Sequence, residues 1–228
     1  MTSIETRLQQ TRDSINEARE RFGRTDAVQL LAVSKTKPAE QVREAYQYGQ
    51  RAFGENYVQE GVDKVKTLAD LEGIEWHFIG PIQSNKTRPV AESFDWVHSV
   101  DRLKIASRLS EQRPADLPPL NICLQVNIDN EASKSGFTPE QVLEVAEQVI
   151  ALPNIVLRGL MAIPAPSETE EEQRKPLRAM SELLHELQKR FPELPLDTLS
   201  MGMSDDMAAA IAEGATIVRV GTAIFGAR

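Results

Sequence analysis

NICLQVNI (residues 121–128) and IVLRGLMAI (residues 155–163) decide the fold, because both stretches are apolar along nearly their whole length. Parallel strands that are covered on both faces carry such runs, whereas half-solvated strands alternate polar and apolar residues. Polar segments with helical spacing lie between most of the short apolar runs of this chain. The runs occupy residues 30–34, 51–54, 76–80, 95–99, 121–128, 155–163, 197–201 and 216–220.

Eight strand units that alternate with helices predict a (β/α)8 barrel of the TIM type, near the small end of its usual length at 228 residues. An open doubly wound sheet is the main alternative, but no G-x-G-x-x-G motif follows the first run. Residues 1–24 show amphipathic spacing and predict an extra N-terminal helix that packs on the barrel. Since no linker rich in Pro, Gly or Ser interrupts the chain, we expect one domain over residues 1–228.

Composition excludes several classes of protein. The net charge of −8 and the pI of about 5.1 argue against nucleic acid as the main partner. Cys123 is the single cysteine, so no intramolecular disulfide can form, and a reducing cytoplasm fits best. No secretory leader and no 18-residue apolar stretch occurs, which predicts a soluble cytoplasmic protein. The three histidines are scattered and predict no metal site.

Two segments near the C-terminus resemble a phosphate site. Barrels place functional residues at the carboxyl ends of their strands, with a phosphate site commonly after strands seven and eight. SMGMSDDM (200–207) follows run seven and supplies Ser204, while VGTAIFG (220–226) follows run eight and supplies Gly221 and Thr222. Small residues and helix starts let backbone N–H groups approach an anion. The sequence SDD alone would more often only cap a helix, but the pair of segments favours phosphate.

LLAVSKTKP (30–38) delivers a lysine to the same place, because strands one and eight are neighbours in a closed barrel. Strand alternation puts Lys35 and Arg219 on faces that could meet at the barrel mouth. A lysine beside a phosphate site is either a simple cation or an imine-forming amine. An imine-forming amine needs a pKa that is lowered by burial or by neighbouring cations. We assign Lys35 as the amine and Lys37 as a helper cation or a cation of the loop.

Three further polar residues lie within or after other runs. Asn56 stands at the end of run two, in FGENYVQE. His77 lies inside an apolar run, where a hydrogen-bonded core histidine is at least as common as a ligand contact. Lys134 lies in NIDNEASKSGF, a segment that is either an ordinary mobile loop or an active-site loop.

Together these segments resemble the YggS/PROSC family, the pyridoxal phosphate homeostasis proteins. The resemblance rests on LLAVSKTKP, FGENYVQE, WHFIGPIQSNKTR, SKSGF, GLMAIP and LSMGMSDDMAAAIAEGATIVRVGTAIFG, and it spans Leu30 to Arg228. It implies a monomeric barrel similar to the N-terminal domain of alanine racemase. It also implies that pyridoxal 5'-phosphate (PLP) is held as an aldimine on Lys35.

The resemblance also implies roles for other residues. Arg219 matches the arginine that faces the pyridine nitrogen, and Asn56 and Met201 match positions beside the ring. The implied phosphate contacts are Ser204, Gly221 and Thr222, with Ser200 as a further candidate.

The choice between enzyme and carrier depends on acid–base groups. A protonated arginine at the pyridine nitrogen makes the ring a weak electron sink. Racemases with this barrel add a second domain and a tyrosine from the partner subunit, and none of Tyr46, Tyr48 and Tyr57 has an evident claim to that role. We therefore expect a PLP-binding regulator of vitamin B6 and amino-acid homeostasis, without catalytic residues, that serves apo PLP-dependent enzymes. A PLP-dependent racemase and a Schiff-base aldolase are the alternatives.

Overall fold

The computed structural model describes residues 2–227 and shows eight parallel strands that close into a barrel in chain order. This architecture confirms the (β/α)8 prediction and excludes the open doubly wound sheet. Each of the eight apolar runs contains or overlaps one strand. The strands are β1 (Gln29–Val33), β2 (Ala52–Glu55), β3 (Glu75–Phe78), β4 (Trp96–Val100), β5 (Leu120–Gln125), β6 (Ile155–Met161), β7 (Thr198–Ser200) and β8 (Ile217–Val220).

Helices connect the strands on the outside of the barrel, and a further helix precedes β1. They are α1 (Ile4–Arg21), α2 (Ala39–Gln47), α3 (Val58–Thr67), α4 (Thr87–Ser93), α5 (Leu103–Gln112), α6 (Pro139–Ile150), α7 (Glu170–Arg190), α8 (Met207–Ala212) and α9 (Thr222–Phe225). A single 3-10 turn, Ser84–Lys86, precedes α4. Within the described chain, no helix has the length and apolarity that a membrane span requires.

Local sequence signals set several helix starts. Thr138, Pro139 and Glu140 are typical of a helix start, with Thr138 as the cap and Pro139 as the first helical residue. The structure confirms this start of α6, and the backbone N–H of Thr138 donates to the side-chain oxygen of Gln141 at 3.0 Å. Pro38 precedes the first residue of α2 and leaves its own nitrogen outside the helix.

The C-terminal region contains one helix more than its sequence signals indicate. The residues SDD (204–206) are typical of the start of a short final helix. They precede α8, but α8 is not the last helix, because α9 follows β8. The sequence that follows Gly221 buries Ile224 and Phe225, and this burial holds the short helix against α1. The chain therefore ends next to the N-terminal helix.

The N-terminal helix packs as the amphipathic pattern predicts. Ile4, Leu8, Ile15 and Ala18 are buried in the same core as the helices around the barrel. Burial of a large aliphatic side chain contributes about 2 kcal/mol, so this face holds α1 in place against α2, α8 and α9.

Two small clusters of buried residues lie apart from the main core. Trp96, Cys123 and Met161 form one cluster, and Leu31, Ala52 and Ile217 form another. Burial raises the pKa of the Cys123 thiol to about 12. The thiol therefore stays protonated at neutral pH, and it behaves as a small apolar side chain.

A glycine in β6 permits close strand pairing, which gives a first prediction. Gly159 has φ 157°, and an added Cβ would lie 1.8 Å from the carbonyl oxygen of Thr198 in β7. We expect Gly159→Ala to lower the free energy of unfolding by about 3 kcal/mol, because backbone must move. Gly23→Ala is the control, since its left-handed φ of 65° has no atom near the new Cβ and costs about 1 kcal/mol. Urea unfolding followed by circular dichroism measures both, and equal losses would contradict this account.

Candidate functional site

A cavity of about 520 Å³ opens at the carboxyl ends of the strands. Its wall is built mainly from the segments that follow β1, β2, β7 and β8. The structure thus brings together residues from the first and last fifths of the chain. Seven of the residues singled out in the sequence line it, namely Lys35, Lys37, Asn56, Ser204, Arg219, Gly221 and Thr222.

Pairing of β1 with β8 creates this meeting point. Leu31 lies opposite Arg219, and Ala32 lies opposite Val220. Gly221 follows directly, and a Cβ there would approach the carbonyl oxygen of Val33 to 3.1 Å. The glycine therefore lets the end of β8 lie tightly against β1, which brings Thr222 to the same wall as Lys35.

The segment after β7 leaves Ser204 available to a ligand. The carboxylate of Asp206 accepts the backbone N–H of Met203 at 2.7 Å and fixes the turn before α8. Within the described chain, neither Ser204 nor Thr222 has a hydrogen bond to its hydroxyl. Both are exposed at the cavity. Ser204 does not act as the helix cap that the sequence offered as the alternative, so its hydroxyl and that of Thr222 can hold an anion.

Lys35 and Lys37 occupy different environments although they are two residues apart. Lys35 is half-buried, and no ion pair with a described residue engages its amine. Lys37 donates to the carbonyl oxygens of Gly226 and Ala227, both at 2.9 Å. Lys37 therefore fastens the end of the chain to the cavity, a task that the sequence did not reveal, and Lys35 is the amine left free to react.

Asn56 presents a buried acceptor without a partner. Its side-chain oxygen is inaccessible to water and has no hydrogen bond within the described chain. Gly80 packs against the same residue so closely that a Cβ would lie 2.1 Å from the backbone oxygen of Asn56. Buried polar atoms are normally satisfied, so this orphan acceptor fits a polar ligand in the cavity.

Arg219 is a buried cation. Its guanidinium donates to Oγ of Ser200 at 2.7 Å and to the carbonyl oxygen of Ala162 at 3.0 Å. No carboxylate in the described chain forms an ion pair with it. Burial lowers its pKa to about 10, so the group stays protonated at neutral pH and brings a fixed positive charge to the cavity.

A row of side-chain hydrogen bonds continues from Arg219 through the barrel. Ser200 lies 2.6 Å from Nδ1 of His98, Nε2 of His98 lies 2.7 Å from Nδ1 of His77, and Nε2 of His77 lies 2.7 Å from Oε1 of Glu75. Ser200 and His77 are both fully buried, and neither is among the residues that line the cavity. Of the two alternatives for His77, the structure shows the hydrogen-bonded core histidine.

The donors are fixed only at the two ends of this row of hydrogen bonds. Arg219 only donates, so Oγ of Ser200 accepts from it, and the carboxylate of Glu75 only accepts, so Nε2 of His77 donates to it. The directions of the hydrogen bonds between Ser200, His98 and His77 depend on the tautomers of the two rings. Burial, and then the neighbouring His77 and Arg219, hold the pKa of His98 well below its ordinary value.

Two other predicted residues lie outside the cavity lining. Met201 is fully buried, and Met203 lines the cavity in its place, because Gly202 turns the chain at φ 100°. Lys134 forms ion pairs with Glu131 at 3.3 Å and Asp129 at 3.7 Å on the loop after β5. Its position is beside the mouth, since its amine also contacts the carbonyl oxygen of Ile163 at 3.4 Å.

Comparison with known proteins defines the class of this barrel. The family described as "Alanine racemase, N-terminal domain" matches residues 6–228. The fold is shared with the alanine racemase of Corynebacterium glutamicum, which is 18% identical with a TM-score of 0.68, over 95% of this chain and 62% of that one. The chain is therefore a barrel of the alanine racemase N-terminal class.

Closer relatives define the family within this class. The chain is 61% identical to the "Pyridoxal phosphate homeostasis protein" of Pseudomonas aeruginosa, over 100% of this chain and 97% of that protein. It is 56% identical to the protein of the same name from Escherichia coli K12, over 100% and 98%. PipY of Synechococcus elongatus, solved with PLP bound, is 40% identical with a TM-score of 0.85, over 98% and 100%. This chain belongs to the pyridoxal phosphate homeostasis protein family.

The buried His98 gives a prediction about pH. Its folded-state pKa is lowered, so between the ordinary pKa near 6.5 and the folded value only the unfolded chain binds a proton. The free energy of unfolding therefore falls as the pH falls from 7 to 5, by up to about 1.4 kcal/mol per pH unit from this group. We expect His98→Gln to remove that part of the slope in urea titrations at several pH values. His185→Gln, on α7, is the control, and an unchanged slope in His98→Gln would contradict a neutral His98.

Proposed function

We propose that this chain binds PLP, holds it as an aldimine on Lys35, and takes part in vitamin B6 and amino-acid homeostasis without substantial catalytic turnover. The observation that carries the proposal is the placement of one unpaired lysine amine and two free hydroxyls, of Ser204 and Thr222, on the wall of one cavity. The orphan oxygen of Asn56 supports a polar ring in the same cavity. PLP bound to PipY, a relative that matches 98% of this chain over its own whole length, supports the identity of the ligand.

Each part of the cavity matches one part of PLP. The phosphoryl group would be seated by the hydroxyls of Ser204 and Thr222 and by the backbone that follows Gly221. The Lys35 amine would condense with the aldehyde carbon, with loss of one water. The side-chain oxygen of Asn56 would accept a hydrogen bond from the hydroxyl group on the ring, which satisfies a group that is otherwise buried without a partner.

Arg219 argues for a holder rather than a catalyst. PLP supplies an electron sink whose strength depends on protonation of its pyridine nitrogen. The guanidinium of Arg219 stays protonated and has no carboxylate beside it, so it disfavours a proton on a neighbouring ring nitrogen. A weak sink stabilises carbanions poorly, and this limits amino-acid turnover.

The other cavity walls offer few acid–base groups. No tyrosine, histidine or cysteine is among the described residues that line the cavity. The hydroxyl of Tyr46 is engaged with the carbonyl oxygen of Glu72 at 2.7 Å. Tyr57 is half-exposed and follows Asn56, outside the lining. Asp205 is the one carboxylic acid among the described lining residues. This composition disfavours a racemase whose second acid–base group is a tyrosine, histidine or cysteine of the same chain.

The proposal extends to the setting of the protein. We propose one domain over residues 1–228, since the side chains of α1 share the core of the barrel helices. We also propose a monomer in the cytoplasm that serves apo PLP-dependent enzymes. A role in PLP homeostasis agrees with the name of the relatives. No group of His, Cys, Asp and Glu in the described chain is arranged to hold a metal ion.

Lys35→Ala tests the covalent site. We expect the wild-type protein with added PLP to absorb visible light as an imine, and borohydride reduction followed by peptide mapping to label Lys35. The variant should lose both signals, because Lys37 is the other lysine among the described lining residues and its amine is engaged with carbonyl oxygens. Lys134→Ala is the matched control and should keep them. A colourless wild-type protein, or a label on another lysine, would end the assignment.

Arg219→Glu tests the electronic role of the arginine. A carboxylate at this place would favour a protonated pyridine nitrogen and strengthen the electron sink. We expect a shifted absorption band and faster exchange of the α-hydrogen of added alanine in deuterated water, followed by NMR. Arg219→Met removes the cation without adding a carboxylate and should exchange more slowly than Arg219→Glu. An unchanged spectrum in Arg219→Glu would show that residue 219 does not face the ring. Catalytic exchange by the wild-type protein would favour the racemase alternative.

A further inference from the structure

A buried ionic cluster lies beneath the segment that carries Lys35. It consists of Glu55 at the end of β2, Glu60 and Lys64 on α3, and Ser34 at the end of β1. Glu55 and Ser34 are fully buried and Lys64 is 5% exposed. None of the four lines the cavity, so the cluster does not belong to the ligand site described above.

Lys64 is the centre of the cluster. Its amine donates to Oε1 of Glu55 at 2.8 Å, to Oε1 of Glu60 at 2.7 Å and to the carbonyl oxygen of Ser34 at 2.6 Å. An ammonium has three protons, and all three are used. The hydroxyl of Ser34 donates to the same Glu55 oxygen at 2.6 Å.

The cluster holds the backbone on both sides of Lys35. The carbonyl of Ser34, which Lys64 binds, belongs to the peptide group before Lys35. The backbone N–H of Thr36 belongs to the peptide group after Lys35, and it donates to Oε1 of Glu60 at 2.6 Å. Because both peptide planes are fixed, the direction of the Cα–Cβ bond of residue 35 is fixed as well.

The backbone at this point would not hold this shape by itself. Thr36 has φ 63°, a left-handed conformation that a β-branched residue rarely adopts. The bond from its N–H to Glu60 opposes relaxation of the turn. The backbone N–H of Lys37 also donates to the carbonyl oxygen of Ser34 at 3.1 Å and closes the same turn. Loss of the bond to Glu60 would leave the strained Thr36 with less support, and a relaxed backbone would turn the Lys35 side chain away.

A contribution to the stability of the fold does not by itself account for a buried ionic cluster at this place. Removing charged groups from water costs free energy that their mutual attraction often only balances, and an apolar replacement is frequently as stable. Here the second carboxylate oxygen of Glu55 is buried without a partner, and burial raises the pKa of that carboxyl. An arrangement that costs free energy and contacts both peptide groups beside one lysine has a positional role.

We propose that Lys64 and Glu60 are positioning residues for Lys35: they clamp the two peptide groups that flank it and so aim its amine into the cavity. This inference rests on the proposed function, since it assumes that Lys35 reacts with an aldehyde. It assigns to α3 a direct part in cofactor capture, although α3 lies outside the cavity.

Glu60→Ala and Glu60→Gln form a matched pair for the test. Alanine removes the acceptor of the Thr36 N–H, whereas glutamine keeps an oxygen at the same place. We expect Glu60→Ala to weaken PLP binding about tenfold or more, the size expected for loss of a charge-assisted hydrogen bond, and to slow borohydride trapping at Lys35. Glu60→Gln should restore binding to within about threefold of wild type. Lys64→Met should behave as Glu60→Ala if it folds.

A PLP analogue without the aldehyde separates positioning from general damage. Pyridoxine 5'-phosphate has the same ring and phosphoryl group but cannot form an imine with lysine. Glu60→Ala should bind pyridoxine 5'-phosphate as the wild type does, since the variant leaves Asn56 and the phosphate-binding residues Ser204 and Thr222 unchanged. Val149→Ala on α6 is the control for a loss of stability far from the cavity, and it should leave both affinities unchanged.

The outcomes distinguish a failure of the proposed function from a failure of the positioning role of Lys64 and Glu60. If wild-type protein forms no imine at Lys35, the proposed function fails whatever the variants do. If wild-type protein forms it and Glu60→Ala binds PLP equally well, the clamp is wrong and the proposed function stands. Equal weakening of PLP and of the aldehyde-free analogue in Glu60→Ala also overturns the clamp, because it would show a structural role only.

Discussion

Pairing of the first strand with the last is the constraint on which the rest of the structure depends. Four residue pairs join β1 to β8, from Gln29 with Ile217 to Ala32 with Val220. Strand edges carry unpaired backbone groups, and closure satisfies them on both strands at once. The same closure puts the carboxyl end of β1, with its lysine, beside the start of α9. A site made of residues 35, 204 and 222 therefore follows from how the barrel closes, and no local segment contains it.

The sequence predicted this much because the relevant signals are local or topological. Apolar runs marked all eight strands, since burial on both faces leaves the same mark wherever a strand occurs. Counting the runs implied closure, and closure implied that Lys35, Ser204 and Thr222 would meet. Cap chemistry at Thr138 located one helix start to the residue. The placement of α9 was missed, because a four-residue helix held by Ile224 and Phe225 has too little periodicity to detect.

The parts that the sequence did not predict are contacts between side chains that are distant in the chain. His77, His98 and Ser200 come from three different strands, and their hydrogen bonds depend on register that no single run reveals. The sequence gives only a weak indication that Lys64 is buried and paired. Lys64 shares the face of α3 that buries Gly61, and it lies one turn after Glu60. A turn at Gly202, which exchanged Met201 for Met203 at the cavity, has no sequence mark beyond the glycine itself.

Hydrogen bonds to neutral partners explain how the barrel keeps a buried arginine without an ion pair. Burial of an unpaired cation is costly. A carboxylate in direct contact would reduce that cost, but it would also cancel the positive charge at the cavity. Here Arg219 donates to the hydroxyl of Ser200 and to the carbonyl oxygen of Ala162. The charge of Asp206 opposes the fall in the pKa of Arg219 that burial causes, although the two residues form no ion pair. The guanidinium therefore stays charged beside the cavity, which is what a protein needs if it is to hold PLP with its electron sink kept weak.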